Sequence, residues 1–103
     1  MGLKFPLNRG DVDTLLAIYE TSKENDVVLL KDVIVRVRSA RLVYRSLHRL
    51  KRLGLIDYYP VSAVSNYGEA RRVVIVELTN NGYDMAKMLE EITKTIIELD
   101  KAN

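Results

Sequence analysis

The 103-residue sequence has no cysteine, a single histidine and only two prolines. Without cysteine there can be no disulfide, no thiolate ligand for zinc and no thiol nucleophile. The lone histidine, His48, has no second histidine or cysteine to complete a metal site, so no metal is expected. A solvent-facing or phosphate-contacting role suits it better than catalysis. The scarcity of proline, and the lack of repeats, low-complexity tracts or a Pro/Gly/Ser-rich linker, argue for one domain over residues 1–103. No stretch approaches the roughly 18–20 apolar residues that span a bilayer, and Met1–Pro6 lacks the apolar run of a signal peptide. A soluble, cytoplasmic protein without membrane association is the expectation. A Ser/His pair exists with nothing to orient it, and neither a Gly-rich phosphate loop nor a carboxylate dyad accompanies it. An enzyme is therefore not expected, nor a cofactor.

What is present is an uneven distribution of charge. The net charge of +2, from 16 basic and 14 acidic residues, is too small to imply a polyanionic partner. Between Val33 and Ile56, however, stand Arg36, Arg38, Arg41, Arg45, Arg49, Lys51 and Arg52 without a single Asp or Glu. From Asp84 to Lys101 acids outnumber bases. Two faces with different tasks are implied.

Periodicity supplies the elements. Val12, Leu15, Leu16 and Tyr19 follow the spacing of one helix face and predict a first helix from Asp11 to about Lys23, with Asn8 or Asp11 as its N-terminal acceptor. Val27–Leu29 is a short β-prone run. Val33, Ile34 and Val37 fall at helical spacing in a second helix over 30–37 despite its β-branched residues. Ser39 offers an N-cap to a third helix over 40–53, where Val43, Leu47, Leu50 and Leu53 form one stripe and Gly54 a stop. Ile56–Tyr59 and Arg72–Leu78 read as two strands joined by a long polar loop. Tyr58 and Tyr59 alternate, so one faces the core and the other the surface. Thr79 caps a last helix from Asn81 to Lys101, in which Met85, Leu89, Ile92, Ile96 and Leu99 recur as a coiled-coil-like seam. The fold class is α+β, mostly helical. Its element order is that of a winged helix-turn-helix with a two-stranded wing, a core over 11–79 and a C-terminal dimerisation helix over 80–102.

The segment Val43-Tyr-Arg-Ser-Leu-His-Arg-Leu-Lys-Arg-Leu-Gly-Leu-Ile56 resembles the recognition helix and strand entry of MarR-, PadR- and ArsR-like regulators. Leu78-Thr-Asn-Asn-Gly82 resembles the step that closes the wing and opens the last helix in the same superfamily. The two motifs lie one wing apart, and the resemblance covers roughly Asp11 to Leu99. The composition is similar to that of small archaeal or archaeal-virus members. Val33-Ile-Val-Arg-Val37 departs from the Leu-x-x-Leu-Ala pattern more usual in the second helix.

The resemblance implies binding to double-stranded DNA and regulation of transcription. A helix fits the major groove. Ser39, Ala40, Arg41, Tyr44, Arg45 and His48 would face that groove, with Arg41 or Arg45 paired to guanine, Tyr44 against a thymine methyl or a phosphate, and Ser39 on a phosphate. Arg36, Arg38, Arg49 and Arg52 would touch the backbone. Asn66, Tyr67 and Gly68 would form the wing tip, and Arg71 and Arg72 at its base would reach a minor groove. The last helix is longer than the body it could cover, so its seam would meet a second copy. The resulting homodimer would read a pseudo-palindromic site.

Blander readings stand beside these. The basic face can be a solvated surface, the seam can pack on the first helix, and Arg71 and Arg72 can be strand-edge charges that discourage aggregation. The rival functions are an architectural DNA-binding protein without sequence preference and a winged-helix module for protein or RNA. The residues do not say whether a small-molecule effector exists.

Overall fold

The computed structural model describes residues 6–64 and 67–102, with the backbone alone for residues 101 and 102. Asn8 opens α1 (Arg9–Glu24): its side chain accepts from the Asp11 amide at 2.9 Å, and the Asp11 carboxylate accepts from the Asn8 amide at 3.1 Å. The chain then forms β1 (Val28–Leu29), α2 (Leu30–Val37), α3 (Ala40–Arg52), β2 (Ile56–Val64), β3 (Ala70–Leu78) and α4 (Asn80–Ala102). Alpha2 is helical despite its valines because Leu30 and Val33 are buried against the other helices, and packing outweighs a weak propensity. It stops at Arg38, which takes a left-handed conformation (φ 68°) at a cost of about 1 kcal/mol for a side chain other than glycine. That sharp turn delivers Ser39, whose hydroxyl caps α3 by accepting from the Leu42 amide at 3.2 Å.

Leu15 and Ile18 of α1, Val33 of α2, Val43, Leu47 and Leu50 of α3, and Ile56 and Val76 of the sheet form one buried cluster, which Ala86 of α4 joins. Each large side chain there contributes about 1.5–3 kcal/mol through removal from water. The sheet has the order β1-β3-β2 with both pairings antiparallel, so the short run near Val28 adds a third strand to the hairpin through Val28↔Val76 and Leu29↔Ile75. Tyr58 is half-buried on the core side, and Tyr59 is exposed on the other.

The hairpin differs from the sequence reading in one respect. Its strands run from Ile56↔Leu78 to Val64↔Ala70, so most of the stretch expected to be loop is paired strand. Pro60 lies inside β2 because that strand is at the sheet edge, where a residue without an N–H is tolerated. The wing therefore projects farther than expected. Among the described residues no helix is long and apolar enough to cross a membrane.

The two glycine-bearing motifs meet at a single junction. Gly54 (φ 75°) ends α3 in the left-handed region, and Leu55 donates back to the Leu50 carbonyl at 3.0 Å. Thr79 then ties the far end of the wing to this turn: its amide donates to the Leu55 carbonyl at 3.1 Å and its hydroxyl to the Gly54 carbonyl at 2.6 Å. The same hydroxyl caps α4 by accepting from the Gly82 amide at 3.0 Å. Gly82 lies directly on the Leu55 carbonyl, and a Cβ there would stand 1.7 Å from its oxygen. Replacing Gly82 by alanine, although it favours an isolated helix by about 1 kcal/mol, is expected to destabilise the protein by about 3 kcal/mol through that clash. Urea denaturation of Gly82→Ala checks this, and an unchanged midpoint would contradict the packing.

Candidate nucleic-acid interface

At about 100° per residue, the buried stripe of Val43, Ser46, Leu47 and Leu50 turns Arg41, Arg45 and Arg52 to the opposite side of α3. All three are exposed, as are Ala40 and Tyr44 beside them. Ser39 is half-buried at the N-cap; its oxygen is used by Leu42, while its own proton remains available to a phosphate. The positive end of the helix dipole points the same way.

The charge of this segment is less free than its sequence suggests. Arg36 is paired with Glu24 at the end of α1, Lys51 with Asp57 at 3.4 Å, and Arg49 with Asp11 at 2.8 Å. Acids missing from the local sequence are thus supplied by neighbouring elements. Arg38, Arg41, Arg45 and Arg52 have no ion pair among the described residues and carry the surface positive charge of the segment. For Arg49 the structure adds a role that the sequence did not show: Asp11 is 99% buried, and the half-exposed guanidinium that neutralises it ties α3 to the start of α1. Arg36, expected at the DNA backbone, is exposed and paired with Glu24 on the surface.

His48 is exposed, as expected of a solvent-facing residue, and has a partner that the sequence did not reveal. Its Nδ1 lies 3.1 Å from the Tyr58 hydroxyl, with the rings edge to face, so the imidazole leans on β2. Lys51 covers the other part of the Tyr58 ring at 4.7 Å. These contacts fix the angle between α3 and the hairpin.

On the wing, Arg71 and Arg72 pair with Ala63 and Ser62 near the closed end, and both are exposed. Being consecutive in a strand, they face opposite sides of the hairpin. Tyr67 is 94% exposed at the tip beside Gly68, which has a φ of 79°. Asn66, assigned to the same tip, lies outside the described residues. Farther along the outer face the Tyr59 hydroxyl donates to Glu77 at 2.6 Å, which raises its pKa above the ordinary tyrosine value.

Alpha4 divides the expected seam. Met85 and Leu89 pack on the chain's own core, and Tyr83 stacks edge to face on Tyr19 of α1. Lys23 of α1 bonds Glu90 at 2.9 Å, which raises the pKa of the lysine. Beyond that point Ile92, Ile96 and Leu99 are more than half exposed, and Met88, not anticipated, extends the same stripe. The radius of gyration of 15.5 Å exceeds the roughly 13 Å of a compact chain of this length, as a projecting helix requires.

Two participants were missed in the sequence. Asp11 was read only as a helix-start residue, and Ser46 was not singled out. Its position three residues after Val43 and four before Leu50, inside the apolar stripe, was the available signal. Ser46 lines a cleft of about 300 Å³ between the start of α1 and the first half of α3, together with Gly10, Arg41 and Arg45.

No family model matches the sequence, and no curated protein does. Solved structures do. A point mutant of Staphylococcus aureus MepR is 20% identical with a TM-score of 0.67, covering 93% of this chain and 65% of that one. MepR bound to ethidium bromide is 19% identical with a TM-score of 0.64, covering 96% and 66%. A third structure, of MepR as a transcription regulator of the multidrug efflux pump MepA, is 18% identical with a TM-score of 0.61, covering 90% and 65%. The fold is a winged helix. These neighbours bear out the winged-helix fold that the resemblance implies, and nothing in them supports an archaeal or archaeal-virus type. This winged helix spans just under two thirds of the MepR chains.

The role given to Arg49 has a direct consequence. Arg49→Met strands a buried carboxylate and is expected to cost about 3 kcal/mol, read as a lowered urea midpoint. A residue serving only as a phosphate contact would leave that midpoint unchanged.

Proposed function

We propose that the chain is a sequence-specific, double-stranded-DNA-binding regulator of transcription that acts as a homodimer on a pseudo-palindromic site. The observation that carries this reading is the exposed face of Arg41, Arg45 and Arg52, which lacks acidic partners among the described residues and lies opposite a rigid leucine side. Arg45 sits at the centre of that face and suits a guanine edge; Tyr44 suits a thymine methyl. Arg38, Arg52 and one of Arg71 or Arg72 suit phosphates or a minor groove. The described residues offer no metal cluster.

The dimer is supported by the exposed stripe of Met88, Ile92, Ile96 and Leu99 on a helix of 23 residues, about 34 Å long. Unpartnered apolar rows of this kind mark association surfaces. Two-fold pairing through it would set two copies of α3 about one helical turn of DNA apart.

Footprinting on a duplex selected from random sequence tests the reading. A regulator protects one short palindrome; a coating protein shifts every duplex alike; a protein- or RNA-binding module shifts no duplex at moderate salt. Arg45→Ala is expected to lower affinity for the selected site about tenfold and for unrelated duplexes much less. Equal losses on both would remove Arg45 from base recognition. Ile92→Asp is expected to yield monomers in sedimentation velocity, and an unchanged sedimentation coefficient would exclude the stripe from the interface.

A further inference from the structure

The cleft between α1 and α3 holds an unusual combination. Ser46 is 97% buried, and its hydroxyl has no hydrogen-bond partner among the described residues. The residue is buried but its hydroxyl oxygen is not sealed off, because the one fully buried unpartnered hydroxyl among the described residues is that of Thr14; the Ser46 side chain lines the cleft and its hydroxyl opens onto it. On the rim stand Arg41 and Arg45, both without an ion pair among the described residues. The floor includes Gly10 in the first turn of α1, where a Cβ would lie 3.1 Å from the Leu42 side chain. The capping box uses the Asp11 amide, so the Gly10 amide, one residue earlier, has no partner within the helix. The one carboxylate in the lining, Asp11, is already engaged by the Asn8 amide and by Arg49. An unpartnered hydroxyl on a largely buried residue, an amide without a helical partner and unpaired guanidinium groups belong to the lining of one small opening.

We propose that this cleft seats one backbone phosphate of duplex DNA. The Ser46 hydroxyl and the Gly10 amide donate to the phosphate oxygens, and Arg41 closes over them from the rim. Arg45 is thereby left for base edges. The arrangement clamps the phosphate between two helices, so it fixes how deeply α3 enters the groove in addition to supplying attraction. Asp11 has a positioning part: by holding Arg49 it keeps the two helix starts at the spacing the cleft requires. This assignment rests on the DNA-binding reading above and adds α1 to the contact surface.

The test is fluorescence anisotropy of a labelled mixed-sequence duplex over a salt series, with the wild-type chain, Ser46→Ala and Arg41→Gln, at a temperature well below all three melting midpoints. Ser46→Ala is expected to weaken binding about tenfold without changing the salt slope, because a neutral donor is lost, and without lowering the melting midpoint. Arg41→Gln is expected to flatten the log–log salt dependence by about 0.9 per protomer. If the wild type binds and Ser46→Ala binds equally tightly, the phosphate seat is overturned while the DNA reading stands. If the wild type binds no duplex at low salt, the DNA reading fails and the seat fails with it.

Discussion

The structure depends on a small knot of hydrogen bonds around Thr79. One residue joins the end of α3, the return of the wing and the start of α4: its amide and hydroxyl hold the Leu55 and Gly54 carbonyls while the same hydroxyl caps the last helix. Gly82 makes the knot sterically feasible, because only a residue without a side chain can rest on the Leu55 carbonyl. The consequence is geometric. The end of α3, the return of the hairpin and the start of the long helix are thereby held to one another at this junction.

Around this junction the surface charge is arranged by pairing. Arg49 is committed to Asp11, Arg36 to Glu24 and Lys51 to Asp57, and what remains unpaired faces outward together. The Arg49 and Lys51 pairs tie α3 to α1 and β2, the Arg36 pair ties α2 to α1, and the unpaired Arg41, Arg45 and Arg52 present themselves on α3. His48 and Lys51, clasping Tyr58, tie α3 to the wing as well.

Much of this was legible in the sequence. The stripe of α3 as far as Leu50, the stop at Gly54 and the cap at Thr79 follow from local spacing, whereas Leu53 is exposed and the contact between the two motifs is a tertiary feature. The length of the wing was not legible, because tolerance of Pro60 depends on β2 lying at a sheet edge, which is a property of strand order. The pairing of Arg49 was not legible either: its partner lies 38 positions away in the chain, and Asp11 already had a sufficient local explanation as a helix-start residue. The seam of α4 was read correctly as apolar but as one unit, whereas Met85 and Leu89 turn onto the body and Ile92, Ile96 and Leu99 continue past it. Periodicity identifies a face and is silent about where the neighbouring element ends.

The central claim is that the outward side of α3 and the adjoining hairpin form one surface for a polyanion. Amide chemical-shift mapping of the chain titrated with a short duplex addresses it most directly. The account predicts perturbations concentrated over residues 39–52 and 61–72, fading as salt is raised. Perturbations confined to α4, or none at low ionic strength, would contradict it.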